Sequence, residues 1–148
     1  MTEDILPVIS TAKLFKKRVI VICAFLAGPL VGGYMIAENF KHIGEKASYI
    51  RTLIITIAFT VIITLAMLFI PAIEKIPNIL FPLCFASIAS ACVYFLQESK
   101  IQEHINNGAV YHKNERAFLV SLISLAIYVA FVFCLVFLFD LLTVQENY

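Results

Sequence analysis

Few side chains in this chain have the chemistry to bind or react, and they fall into three groups. His42, His104 and His112 lie in polar stretches, with Glu38 four residues before His42 and Glu103 beside His104. Imidazole and carboxylate together suit divalent transition metals. None of these spacings is a metal signature, so no metal site is expected. The second group is a run of hydroxyls, Thr52, Thr56, Thr60 and Thr64, four residues apart. On a helix that spacing advances about 40° beyond a full turn, so the threonines form one slowly winding stripe. Each hydroxyl can bond the carbonyl four residues back, which makes the stripe structural. Read functionally, Thr56, Thr60 and Thr64 would line a narrow path with Ser121, Ser124 and Tyr128, which share a face of a later helix. The third group is "AGPLVGGYMIAENF", Ala27–Phe40, three glycines and a proline inside an apolar run. Pro29 cannot donate to the Phe25 carbonyl, so a kink is expected there. Broken helices of this kind hold substrates in transporters. A kinked packing helix without a ligand is the preferred reading, because no Asp, Glu, Lys, Arg or His lies in the middle of any apolar run. Ion-coupled transport usually keeps one there.

Catalysis finds little support. No nucleophile elbow, phosphate-binding glycine loop or H-E-x-x-H pattern occurs, so neither an enzyme nor a cofactor is expected. Cys23, Cys84, Cys92 and Cys134 all fall in apolar runs without a C-x-x-C, and read as small buried apolar residues.

These groups are carried by a very apolar chain. Of 148 residues, 61% are apolar and 14% charged, with a mean hydropathy of +0.94, which is the composition of a membrane protein. Four runs reach the roughly 20 residues a helix needs to cross a bilayer: Val19–Ala37, Leu53–Ile70, Ile79–Leu96 and Phe118–Phe139. Lipid cannot satisfy backbone polar groups, and barrel strands would show alternation, so these runs read as helices. The expected architecture is all-α: an integral membrane four-helix bundle built from two helical hairpins, one transmembrane domain over 1–148 with a tail at 1–17. Lys16, Lys17 and Arg18 before an apolar run resemble a signal peptide's start, but the run continues through Tyr34 and Met35 with no A-x-A-like site. In the tail, Leu6, Ile9, Leu14 and Phe15 could lie on the membrane surface, with Lys13, Lys16, Lys17 and Arg18 near lipid headgroups. A net charge of +1 gives no reason to expect a nucleic acid partner.

Polar segments extend two of the spans. "AENFKHI" carries the first on to Gly44, placed to end the helix in the left-handed conformation. The helix would then run from about residue 18 to 43, roughly 39 Å, longer than the hydrocarbon core, and must protrude or tilt. "QESKIQEHI" likewise prolongs the third span, with "NNG" at Asn106–Gly108 as the stop. Pro71 and Pro77 mark a tight turn between the two hairpins. Lys13, Lys16, Lys17, Arg18 and Lys75 then fall on one side, and Lys41, Lys46, Arg51, Lys100, Lys113 and Arg116 on the other. That balance leaves orientation undecided. Ala24, Gly28 and Gly32, with Gly33 and Ala37 repeating the spacing, strip one helix face of bulk so that another helix can approach. The third span, with Ala86 and Ser90 and with Ser87 and Ala91, is the expected partner.

In "AGPLVGGYMIAENFKHIG", followed by "KIQEHINNG", the chain resembles an uncharacterised group of small bacterial integral membrane proteins. They share a Gly-Pro-containing first span ending in an Asn-Phe-Lys-like turn. Their later Gln-x-x-Ile-x-x-His-like segment ending in glycine is matched in part by Lys100, Ile101, Glu103, His104 and Gly108. The resemblance implies a multi-pass protein of the bacterial inner membrane and no particular activity. Taken together, the expectation is a non-enzymatic structural or accessory protein acting through helix contacts. Its partners would be membrane lipids and either a second copy or another membrane protein. The alternative is a small homodimeric transporter or channel using Gly28, Pro29 and Gly32 at the kink and the threonine stripe as its path.

Overall fold

A computed structural model describes residues 12–70, 73 and 75–145. Among the described residues, six helices and two very short strands follow one another: β1 (Lys13–Leu14), α1 (Lys17–Ala27), α2 (Pro29–Ile43), α3 (Lys46–Phe69), α4 (Leu80–Leu96), α5 (Glu98–Asn106), β2 (Val110–Tyr111) and α6 (Asn114–Gln145). The all-α expectation holds apart from the two-residue strands, which pair in parallel as Lys13 with Val110 and Leu14 with Tyr111.

The run Val19–Ala37 is not one kinked helix. Helix α1 ends at Ala27, Gly28 takes φ +84°, and Pro29 is the first residue of a new helix. Glycine reaches that backbone conformation without a Cβ clash, and proline at a first helical position loses no hydrogen bond. The break is sharp enough to reverse the chain. Phe15, ahead of α1, donates its backbone N–H to Asn39 Oδ1 near the end of α2 at 2.7 Å and accepts from Asn39 Nδ2 at 3.1 Å. In a straight helix these residues would stand about 36 Å apart. The elongated first helix, roughly 39 Å over 18–43, is therefore replaced by a hairpin of two short arms, its feet together and its tip at Gly28–Pro29.

That hairpin is the core of the molecule. Ile20, Ala24, Val31, Met35, Ile36, Ala37 and Phe40 are buried, whereas α3, α4 and α6 stand around it with most of their apolar side chains exposed. Helix α3 packs on α2, α4 on α1 and α2, and α6 on both arms. Where these outer helices meet one another, long side chains make the contact: Phe59 on Phe85, Phe69 on Phe139, and Thr64 with Tyr128.

Two glycines close helices as the sequence suggests. Gly44 has φ +92°; its N–H bonds the Lys41 carbonyl while that of Glu45 bonds the Phe40 carbonyl. Gly108 repeats the pattern at φ +93°, with Gly108 N–H to Ile105 and Ala109 N–H to His104. This paired arrangement satisfies carbonyls that a helix end leaves free. The extension "QESKIQEHI" is a separate helix, because the chain bends by 59° between α4 and α5. Gln97 sits at that bend, fully buried, and donates from Nε2 to the Ile36 carbonyl at 2.7 Å.

Helices Lys46–Phe69 and Asn114–Leu141 are long and apolar enough to cross a membrane, and α4 reaches that length only when taken together with α5 as one bent span. The expected spans at Leu53–Ile70, Ile79–Leu96 and Phe118–Phe139 correspond to α3, α4 and α6. Pro77 precedes α4, while Pro71 and the tail residues Leu6 and Ile9 lie outside the described residues.

Candidate functional site

The small residues do allow close approach, and α4, the expected partner, meets Gly32, though through Ala89. A Cβ added to Gly32 would lie 2.8 Å from the Ala24 Cβ and 3.7 Å from the Ala89 Cβ. Ala24 and Gly32 thus face each other across the hairpin instead of lining one continuous strip, and Gly28 forms the tip. Gly33 faces the other way, where an added Cβ would overlap the Thr56 side chain. Helix α4 meets the hairpin through Ala89 and Val93. Ser87 and Ala91 are exposed and Ala86 and Ser90 half-exposed, and the four border an open groove with Lys17 and Val21 of α1. Ala89 and Val93, one turn apart, lie innermost, and the four flank them on the side that faces Lys17 and Val21 of α1. Ser87 bonds its own Leu83 carbonyl at 2.8 Å.

The threonine stripe lies inward, with Thr56, Thr60 and Thr64 buried. Thr60 donates to the Thr56 carbonyl at 2.8 Å and Thr64 to the Thr60 carbonyl at 2.7 Å. The single Thr64 proton is thereby used, so the Tyr128 hydroxyl, 3.2 Å away, is the donor between them. Ser124 and Tyr128 border a groove with Tyr34, Thr60 and Phe131 between α2, α3 and α6. Ser121 is not part of it. It bonds the Ala117 carbonyl at 2.8 Å and borders a different groove between α1 and α6. A further groove, among α2, α3 and α4, has Pro29, Gly32 and Gly33 along its hairpin side and Phe59 and Phe85 opposite.

The polar cluster that sequence reasoning did not assemble lies at the hairpin's feet. Glu38, with a side chain only 7% exposed, receives Arg116 Nη2 from α6 at 3.5 Å and has His42 Nε2 at 3.3 Å, one turn along α2. His112, just before α6, is buried with its ring 4.5 Å from that of Phe15 and 5.9 Å from that of His42. The Nε2 atoms of both imidazoles are buried without an aligned hydrogen-bond partner. Burial holds the His112 imidazole below its ordinary pKa, and the positive charges of Arg116, His42 and Lys13 add to the effect against the opposing pull of Glu38. The Glu38–His42 spacing was visible in the sequence; the arrival of His112 and Arg116 from across the chain was not. His104 stays apart, its Nδ1 2.9 Å from the Lys100 carbonyl. Among the described residues no group of three His, Cys, Asp or Glu is arranged to hold a metal ion.

Lysines and glutamates tie the same end together. Lys17 on α1 pairs with Glu98 on α5 at 3.0 Å while lying over the Tyr94 ring, and Lys100 on α5 pairs with Glu45 between α2 and α3. The hydrogen bond from Lys100, helped by the Ser48 hydroxyl, holds the Glu45 carboxyl below the usual range. The four cysteines are free; Cys23 is buried, but Cys84 and Cys134 are exposed on the outer apolar faces, contrary to the uniformly buried placement expected.

The titration of His112 carries a consequence for stability. A neutral imidazole is favoured in the folded state, so between its lowered pKa and about pH 6.5 the unfolded chain binds more protons. Stability contributed by this group is complete above about pH 6.5 and declines as pH falls through that window. Thermal unfolding in detergent is therefore expected to weaken on acidification from pH 7 to 5, and His112→Leu is expected to flatten that slope. An unchanged slope in the variant would assign the acid sensitivity to other groups.

Two helices long and apolar enough to cross a bilayer mark the chain as a membrane protein. No protein-family model, curated protein or solved structure matches the chain.

Proposed function

We propose that this is a non-enzymatic accessory or structural component of a bacterial inner membrane. It acts through helix contacts with a second copy or another membrane protein, and it crosses the bilayer three times with α1–α2 as a re-entrant hairpin, in place of the four spans expected. The observation that carries this reading is what fills the middle of the bundle. The position a pore would take between α3, α4 and α6 is occupied by the hairpin, whose buried face is Ile20, Val31, Met35 and Ile36. The hydroxyl stripe beside it is consumed largely by its own backbone. Outward faces rich in Ile, Leu and Phe remain for lipid or for partner helices.

Transport is the second reading, favoured by one observation: a helix break at Gly28–Pro29 inside the bundle, the type of feature that borders substrate sites in transporters. The two readings separate in vesicles. Thr60→Val removes one hydroxyl from the groove while keeping side-chain shape, and is expected to leave both assembly and solute or ion flux unchanged. A change in flux with intact assembly would favour transport. Native mass spectrometry after gentle extraction tests the accessory role directly: a reproducible foreign subunit supports it, whereas a pure homodimer with measurable flux overturns it.

A further inference from the structure

The hairpin changes where the charges lie. With α1 and α2 folded back, the N-terminal cluster no longer sits opposite the polar tips. Lys13, Lys16, Lys17 and Arg18 stand at the hairpin's feet beside Lys41, and Lys46 and Arg51 open α3 at the same end. Lys100 on α5 and Lys113 and Arg116 at the start of α6 join them, as the Lys17–Glu98, Lys100–Glu45 and Arg116–Glu38 pairs require. Of the eleven Lys and Arg in the chain, all but Lys75 gather there. The near-even split expected from four through-going spans becomes almost complete asymmetry.

Many of these cations are unspent. Among the described residues, Lys46, Arg51 and Lys113 are exposed and have no carboxylate within ion-pair distance. Lys16 and Lys41 lie over the rings of Tyr111 and Tyr49 at 5.1 and 5.8 Å. Unpaired cations and tyrosines at the polar end of apolar helices match a leaflet whose headgroups carry phosphate.

We propose that this basic end is a docking surface for anionic phospholipid headgroups of the cytoplasmic leaflet. The hairpin then enters the membrane from the cytoplasm and returns to it, and the far end of α6 lies on the opposite side. This holds whether the protein scaffolds or transports, and it rests on the three-crossing arrangement.

The sidedness test uses the full chain with reporters at each end. A green fluorescent protein at the N-terminus is expected to fluoresce, and an alkaline phosphatase after Tyr148 to be active. The converse pattern, a dark N-terminal reporter with an inactive C-terminal phosphatase, would overturn the orientation. Reporters on the same side would overturn the three-crossing arrangement on which it rests. The lipid test uses nanodiscs with equal phosphatidylglycerol and phosphatidylcholine. Native mass spectra are expected to show retained lipid enriched in phosphatidylglycerol, with that preference lost in the Lys46→Gln, Arg51→Gln, Lys113→Gln variant. Equal retention of the two lipids by the unmodified protein would overturn the docking surface.

Discussion

Gly33→Leu is expected to prevent the bundle from forming, and Gly33→Ala to destabilise it by about 1–3 kcal/mol, the usual range for overpacking. Position 33 is where α2 presses bare backbone against α3, and an added Cβ would overlap the Thr56 side chain, reaching 2.7 Å from the Thr56 Cβ itself. Relief by rotation is limited, because Thr56 is buried. Thermal unfolding in detergent should show coupling: Thr56→Ala removes two of the overlapped atoms and is expected to recover part of the Gly33→Ala loss. Additive effects of the two substitutions would mean that α2 and α3 do not meet at this point. Gly32→Leu should also disrupt assembly, through Ala24 and Ala89, so that the two glycines report on opposite faces of one arm.

Asn39→Leu is expected to be similarly costly for a different reason. Asn39 is fully buried and bonds both backbone groups of Phe15, which is itself buried. Leucine would leave a buried N–H and a buried carbonyl without partners, at about 1–3 kcal/mol each. The hairpin's feet would lose their clamp, opening amide exchange at Phe15 and along the first turn of α1. Asn39→Asp gives a sharper readout. Its oxygen can still accept from the Phe15 N–H, but an ionised carboxylate would face the Phe15 carbonyl, whereas the protonated acid could donate to it. Stability of Asn39→Asp should rise as pH falls through the carboxyl's titration, opposite in sign to the His112 trend. A variant that unfolds at the same temperature as the parent at every pH would show that the clamp does not hold the feet.

Hydropathy made α3 and α6 legible because their signal depends only on length and composition. The same signal misread Val19–Ala37. A run of apolar residues looks alike whether the chain crosses or turns back, since neither a lipid-facing helix nor a buried hairpin arm needs a polar face. What distinguishes the two is the order Gly28–Pro29. Read as an interior proline it means a kink; read as glycine past one helix end and proline at the next helix start it means a boundary. The charge count inherited the error, because it assigned Lys16–Arg18 to the side opposite Lys41. At the polar end, Gly44 and Gly108 were legible as stops and Glu38–His42 as a one-turn pair. His112 and Arg116 could not be placed beside them, because the parallel pairing of Lys13–Leu14 with Val110–Tyr111 that brings them there is too short to leave a pattern. That Ala89 and Val93 lie innermost while Ala86, Ser87, Ser90 and Ala91 flank them was missed for a related reason: small residues show where helices can approach, not which of two stripes is chosen.

The central hairpin also dictates an order of events during synthesis. The arms that end up innermost precede, in chain order, all the helices that enclose them. Their interrupted backbone at Gly28–Pro29 is poorly suited to hydrocarbon alone, and α4, which covers α1, is made only after α3 has been placed. In the proposed three-crossing arrangement, these two arms would wait near the headgroups until the later helices build a chamber for them. Maturation is in this sense an enclosure from outside inward, and it is completed by contacts between distant parts of the chain.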